Sequence, residues 1–450
     1  MLELRDRQNT LLAIALTVAT VAYLGWKVVE SPEQALQFAF NGLSVGAIYA
    51  RLAMGFTLVY STVWFFDLYY GAAAAIGAYG VYYLRSQEAL GGQYEVSHPS
   101  LNIAFGVITA AVVAWALHTR YYRRLSRRYG ERTVTVAGGV IAALAGLYMA
   151  VVLTFPTEMN TLLSPALGAI VALIVYAVVR RGYRAAFGAP EPGVVVAAAT
   201  AVAVVAGGAI ALAVAGAAGS RLYLSWAVSC VLAGAVGLAL YRGLYVYMLE
   251  RARSPLIMLV ATLGVLLALT AATTIVFEAT PRPLPDAFGS EPWTIGGANI
   301  KGFNVFTIVM AFVGFAGLWV LLRRTSFGKS VRAVGDDEEV SKVVGINTTV
   351  VIAIVFFIGA AYAAFAGILT GHDTAIQPRM GLLLLLKGWI ASVVGGIGNL
   401  YGAIVGGFVL GMIEQFGIWD LAGEWRDVVS FGVLILFLSF WPKGLLPRRD

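Results

Sequence analysis

The chain has 450 residues, of which 60% are hydrophobic and only 12% charged, and its mean hydropathy is +0.82. That balance excludes a water-soluble globular domain and requires a polytopic membrane protein, because runs of about 20 apolar residues are what a bilayer core demands of a spanning helix. The formal charge is +7, and the single cysteine, Cys230, lies inside an apolar run, which leaves no disulfide framework and no Cys/His metal spacing.

Apolar runs predict fourteen spanning helices, near 11–28, 35–60, 64–84, 102–118, 134–155, 162–180, 194–217, 223–241, 255–277, 304–322, 349–371, 382–395, 402–418 and 427–441. The expected fold is therefore an all-α polytopic integral membrane protein. The first run follows a short charged start, but no small-residue cleavage site precedes Glu30-Ser31-Pro32, so it reads as a retained helix. Between the second and third runs, residues 61–67 are apolar and aromatic, which points to a broken or re-entrant helix. The 51 glycines suit helices whose backbones approach closely.

Basic residues in short loops mark the cytoplasmic side. The segment 119–133 carries Arg120, Arg123, Arg124, Arg127, Arg128 and Arg132 against one acid, Glu131. Arg180, Arg181 and Arg184 follow two spans later, then Arg242, Arg251 and Arg253, and finally Lys443, Arg448 and Arg449. With fourteen spans all of these fall on one side, and both termini are expected in the cytoplasm. Arg and Tyr interleave in TRYYRRLSRRYGER as they do in some nucleic-acid sites. The topology explains them more simply as juxtamembrane residues, with anionic lipid headgroups as a natural contact and no nucleic-acid partner.

The stretch RRTSFGKSVRAVGDDEEVSKVVGIN (323–347) is a charged island after a span. Gly328-Lys329-Ser330 has the ending of a P-loop, but Arg323 stands where the first glycine is needed and a span, not a strand, precedes it. Those three residues therefore read as a turn. After them, Asp336 as N-cap, Glu339 as the returning acid, and Asp337 and Glu338 in the first turn predict a short capped helix. Val340, Val343 and Val344 form its apolar face and Gly345 stops it. On spacing alone, the stripe serves equally well to cover the protein's own loops or to dock a partner.

At this point the sequence resembles a known family. The island is similar to the cytoplasmic coupling loop of the permease subunits of branched-chain amino acid ABC importers, the high-affinity leucine/isoleucine/valine family with urea and amide relatives. FNGLSVGAIYARLAMGFTLVYS (40–61) resembles the family's N-terminal helix. SPLIMLVATLG (254–264), FEATPRPLP and WTIGGANI resemble its middle helix and external loop. MGLLLLLKGWIASVVGGIGNLYGAIVGGFVLGMIE (380–414) resembles its C-terminal signature, and FWPKGLLPRR its tail. The resemblance divides the chain into an extra N-terminal helix (1–34), a core in two parts (35–118 and 223–450, with the coupling loop at 323–348), and inserted helices with an Arg-rich loop (119–222). Two positions depart from the family: its polar motif after the first core helix appears here as Asp67-Leu68-Tyr69-Tyr70-Gly71, and Arg51 replaces an aliphatic residue.

The resemblance implies a transport subunit in the cytoplasmic membrane of a prokaryote, with no ATP site and no cofactor of its own. ATP and Mg²⁺ would be used by two cytoplasmic ATP-binding cassette subunits, a second homologous permease would complete the pore, and an extracytoplasmic solute-binding protein would deliver the ligand. ATPase coupling falls to Asp336, Asp337, Glu338, Glu339, Val340, Val343, Val344 and Gly345. Candidate path residues are Asn41, Arg51, Asp67, Tyr70, Lys387, Gly395, Gly396, Gly398 and Glu414. Within that set Lys387 and Glu414 are expected to pair across the glycine-rich break, and Arg51 and Asp67 to face each other. The 278–303 segment, with Arg282, Asp286 and Glu291, serves either as a landing surface for the binding protein or as an ordered cap. The competing function is an ATP-independent secondary transporter or channel for a small amide or urea-like solute. An intramembrane enzyme is disfavoured because His98, His118 and His372 lie at loops or helix ends without metal-like spacing.

Overall fold

The computed structural model of the chain describes residues 22–89, 99–187, 192–217, 219–249, 251, 255–284, 291–441 and 444–446. A helical stretch at 22–30 precedes α1 (Pro32–Val63), followed by α2 (Tyr69–Ala89), α3 (Pro99–Tyr129), α4 (Glu131–Thr154), α5 (Met159–Phe187) and α6 (Gly193–Gly216). Helix α7 (Ser220–Leu240) runs on through a π-helical turn to Leu249. Then come α8 (Pro255–Phe277), the strands β1 (Trp293–Ile295) and β2 (Ala298–Ile300), α9 (Gly302–Arg324), α10 (Ser326–Asp336) and α11 (Glu338–Val343). Helices α12 (Thr348–Asp373), α13 (Met380–Gly395), α14 (Leu400–Gly417) and α15 (Arg426–Phe440) complete the chain. Among the described residues the β-structure consists of the antiparallel β1–β2 hairpin, in which Trp293 pairs with Ile300, and an isolated antiparallel bridge between Arg282 and Ile376.

Ten helices among the described residues are long and apolar enough to cross a membrane, and Met380–Gly395 is a shorter apolar one. The other four predicted segments fall short for separable reasons. Residues 11–21 of the first lie outside the described residues. The third starts only at Tyr69 and is rich in Ala, Gly and Tyr, the twelfth is the 16-residue α13, and the fourteenth is the 15-residue α15. The arginine-rich segment expected to be a loop is helical: α3 continues to Tyr129, and only Gly130, at φ +85°, separates it from α4.

Two compact units are present, one comprising 1–75 with 248–450 and the other 76–247. The expected boundaries at 118/119 and 222/223 fall inside α3 and α7. In the first unit α1 is the central element. Lipid gives no hydrophobic force between helices, so association depends on close backbone approach at small residues. On α1, Gly42 and Gly46 lie against Met412 and Phe408 of α14, and a Cβ on Gly46 would come within 2.9 Å of the Phe408 Cα. Gly55 packs on Gly359 and Tyr362 of α12, and Gly388 of α13 packs on Leu52.

The second unit contains two helical hairpins built on one pattern. In α3–α4, Gly106 and Ala110 meet Gly146 and Ala150; in α5–α6, Gly168 and Ala172 meet Gly207 and Ala211. In both hairpins a small residue recurs every fourth position, so one stripe per helix forms the crossing. Cβ atoms on Gly146 and Gly168 would sit 2.5 Å and 2.7 Å from the opposed carbonyl oxygens of Gly106 and Gly207. Asn102 donates to Thr154 (3.1 Å) at one end of α3–α4, and Asn160 donates to the Ala217 carbonyl (3.1 Å) at the corresponding end of α5–α6.

Gly168→Leu is expected to force the α5–α6 crossing apart at a cost of about 1–3 kcal/mol, whereas Gly208→Leu, with nothing within 4 Å, should be neutral. Melting curves of the two purified variants check this; equal midpoints would contradict the crossing.

Candidate functional site

The charged island folds into two helices joined without a loop. Thr325 caps α10: its hydroxyl accepts from Gly328 N–H at 3.1 Å, so Gly328, Lys329 and Ser330 lie in the first turns of a helix and not in a turn after a span. Because α10 stays helical through Asp336, the cap of α11 is Asp337, whose Oδ1 accepts from Val340 N–H at 3.0 Å. The expected cap at Asp336 with Glu339 as its returning acid is thus displaced by one residue, and Glu339 lies inside the first turn. At the other end Ile346 N–H donates to Ser341 O (3.0 Å) and Gly345 N–H to Lys342 O (3.1 Å), with Gly345 at φ +89°. This is a Schellman stop, which needs the left-handed backbone glycine supplies. Glu338 holds Lys342 at 3.0 Å, and this hydrogen bond raises the lysine pKa. It also accepts from the Thr348 hydroxyl at 3.1 Å, tying α11 to the start of α12.

The pair of helices is anchored to α1. Trp64, the left-handed residue ending α1, donates its Nε1–H to the Gly335 carbonyl at 2.8 Å, and Gly335 abuts the Ser61 carbonyl so closely that no Cβ fits. Arg332 donates to the Leu322 carbonyl at the end of α9. On this fixed support Val340, Val343 and Val344 are 57%, 87% and 68% exposed. The stripe therefore does not cover the chain's own loops among the described residues. A cleft of about 730 Å³ next to α10 is lined by Ser61, Trp319, Arg323, Arg332, Asn399 and Tyr401.

The glycine-rich break forms a tight turn. Gly396 and Gly398 take φ +113° and +85°, and Asn399 caps α14 by accepting from Tyr401 N–H at 3.0 Å. Gly395 packs directly on Gly402. The tail completes the turn: Leu445 and Leu446 N–H groups donate to the last carbonyls of α13, Val394 (2.8 Å) and Gly395 (2.9 Å). Asn399 donates to Leu446 O at 2.9 Å. These three glycines serve a closely packed turn.

Lys387 and Glu414 do meet: Nζ lies 3.0 Å from Oε1. The sequence concealed that they belong to a larger set. Lys387 also holds Asp427 (2.9 Å), Arg426 Nε lies 3.4 Å from Glu414, and Ser430 donates to Glu414 Oε2 at 3.1 Å. Tyr49 of α1 lies under the lysine, 5.5 Å from Nζ to ring centre. Glu414 is fully buried, and a carboxylate taken out of water persists only with such partners.

Arg51 and Asp67 occupy separate surroundings. Arg51 donates to the Met310 carbonyl on α9 and lies over Phe365 (4.2 Å) and Tyr362 (5.4 Å) of α12. Asp67 lies in the buried break between α1 and α2, where its Oδ1 accepts from Tyr69 N–H at 3.0 Å. Tyr70 is buried with its hydroxyl against Gly359. Asn41 accepts from Gln37 (3.1 Å), and Gln37 clamps β2 by bonding both the N–H (2.8 Å) and the carbonyl (3.1 Å) of Asn299. Arg282 pairs with Ile376 through two backbone bonds and with Glu278 at 3.4 Å; Glu291 is exposed, and Asp286 lies outside the described residues. The segment after α8 is thus an ordered structure as far as it is described, with Trp293 and Ile295 exposed.

A bundle of apolar helices, ten of them among the described residues long enough to cross a membrane, is the architecture of a multi-pass membrane protein. The sequence profile described as branched-chain amino acid transport system / permease component matches residues 166–438. The high-affinity branched-chain amino acid transport system permease protein BraD of Pseudomonas aeruginosa is 34% identical over 231 residues, 50% of this chain and 75% of that protein. LivH of Salmonella typhimurium is 33% identical over 239 residues (50% and 77%), and LivH of Escherichia coli 34% over 233 (49% and 75%). No solved structure matches. The chain belongs to the family of branched-chain amino acid transport system permease components.

Lys387→Met is expected to destabilise the protein by about 3 kcal/mol, the usual cost of stripping a partner from a buried ion pair, and adding Glu414→Gln should recover part of it. The melting midpoints of the two variants test this. A wild-type midpoint for Lys387→Met would contradict the network.

Proposed function

We propose that this chain is the permease subunit of an ABC importer that carries branched-chain amino acids or a related small polar solute, driven by separate ATPase subunits. The observation that carries the coupling role is the valine face of α11, exposed at 57–87% on a helix that is capped at both ends and follows α10, which is bonded to the end of α1. Six residues make a helix that is marginal in water alone. Its two caps, its bond from Glu338 to Thr348 of α12 and the bond of the preceding α10 through Gly335 to Trp64 give it the rigidity a lever needs, and its apolar stripe gives an ATPase a surface to grip. Closure of two such subunits on ATP and Mg²⁺ would then move α1 and the helices packed on it, which is the rocking that alternating access requires.

In this reading the α10–α11 end is cytoplasmic, a second homologous permease completes the pore, and a solute-binding protein docks at the opposite end. There the β1–β2 hairpin presents Trp293 and Ile295, and Arg282 and Glu291 flank the segment. The solute path runs along α1, where Asn41, Arg51, Asp67 and Tyr70 are the residues set against it. The alternating charges of Lys387, Glu414, Arg426 and Asp427 match a ligand with one positive and one negative group, and they also hold α13, α14 and α15 together.

Val343→Asp with Val344→Asp is expected to abolish co-purification of the ATPase subunits and to reduce ATP-driven uptake in liposomes by at least about tenfold. The melting midpoint should be unchanged, because both side chains are exposed. Wild-type co-purification would overturn the docking role, and uptake without ATP or ATPase subunits would establish the secondary transporter or channel instead.

A further inference from the structure

The α3–α4 hairpin crosses tightly at Gly106 and Gly146 and opens toward the turn at Gly130, leaving a cleft of about 590 Å³. Pockets of about 300–1,000 Å³ are those that enclose small organic ligands. One wall is the aromatic face of α3, with Trp115, His118, Tyr121, Tyr122 and Tyr129; the other is α4, which offers Gly138 among other small residues. The His118 and Tyr122 rings are 4.5 Å apart, one helical turn from each other. A Cβ added to Gly138 or Gly139 would meet no atom within 4 Å, so the α4 side of the cleft is open.

The chemistry along the cleft changes in one direction. Nearest the crossing it is lined by Ala114, Trp115 and Leu117 of α3 and Ile141 of α4. Tyrosines follow, and at the turn the chain carries Arg120, Arg123, Arg124, Arg127, Arg128 and Arg132 against Glu131 alone. Arg127 and Arg132 are exposed there. Apolar, then amphipathic aromatic, then cationic is the order of acyl chain, glycerol backbone and phosphate in a phospholipid entering a membrane protein from the side. The surroundings agree, because the outer faces of both helices expose Ile103, Val107, Val140, Leu144 and Leu147 and need lipid around them.

We propose that this cleft binds an anionic phospholipid, with an acyl chain between α3 and α4 and the headgroup phosphate at the arginine-rich turn. The profile match to the permease family begins at 166, so the site belongs to the part of the chain that precedes the match. The gradient of chemistry favours a membrane lipid over a soluble anion, which would use the arginines but not the cleft.

The test uses the full-length protein, delipidated and then titrated with mixed micelles containing phosphatidylglycerol or phosphatidylcholine of the same chains, with bound lipid counted by mass spectrometry. Wild type is expected to prefer phosphatidylglycerol by roughly tenfold or more. Gly138→Leu, which fills the cleft through an open position, should lower retention of phosphatidylglycerol by roughly an order of magnitude, while Gly208→Leu leaves it unchanged. Arg127→Gln with Arg132→Gln should abolish most of the preference and keep chain binding. Equal binding of the two lipids by wild type, wild-type retention by Gly138→Leu, or complete displacement by inorganic phosphate would each overturn the proposal. If Gly138→Leu does not fold, the comparison of the two lipids on wild type and on the arginine variant decides alone.

Discussion

Everything in the first unit depends on how closely other helices approach α1. A membrane supplies no hydrophobic force to pull apolar helices together, so contact must come from backbones that fit. Gly42, Gly46 and Gly55 on α1 and Gly388, Gly407 and Gly411 on its neighbours provide that fit, and most of α1 from Gly46 to Val59 is buried among them. Two consequences matter for transport. The helix cannot shift relative to α12, α13 and α14 without losing contacts all along its length, and whatever is fixed to its end must follow it. Trp64 and Gly335 fix α10 and α11 to that end.

The second unit shows the same physics used twice. The α3–α4 and α5–α6 hairpins repeat one spacing of small residues, close at one end with an asparagine bond, and expose most of the rest of their surfaces. Their differences lie in the ends. Of the two, α3–α4 carries the longer cationic stretch, TRYYRRLSRRY at the end of α3, against RRGYR near the end of α5.

Much of this was legible in the sequence. Two isolated ionisable residues in apolar runs need each other, and Lys387 and Glu414 meet. Gly345 stops α11 where the valine stripe ends. Other features were hidden for physical reasons. Asp336 and Asp337 satisfy the cap pattern equally well, and the choice is made by the packing of Gly335 against α1, a contact far away in sequence. Arg426, Asp427 and Ser430 begin α15 at its polar end, where charges look like ordinary loop residues, so their convergence on Glu414 left no signal. The repeated hairpins were obscured because their only shared code is small residues every fourth position among many other Ala and Gly. The arginine segment read as a loop because charge ends an apolar run without ending a helix.

The central claim is that α11 and the α1 core move as one body. The direct test is the distance between spin labels at Lys342→Cys on α11, a position outside the valine stripe, and Leu421→Cys beyond α14, both exposed, in a Cys230→Ser background with the ATPase subunits bound. A single narrow distance that stays the same with and without a non-hydrolysable ATP analogue is the predicted result. A distance that shifts by several ångströms when nucleotide binds would contradict it, because α11 would then be moving independently of the α1-centred core to which α14 belongs.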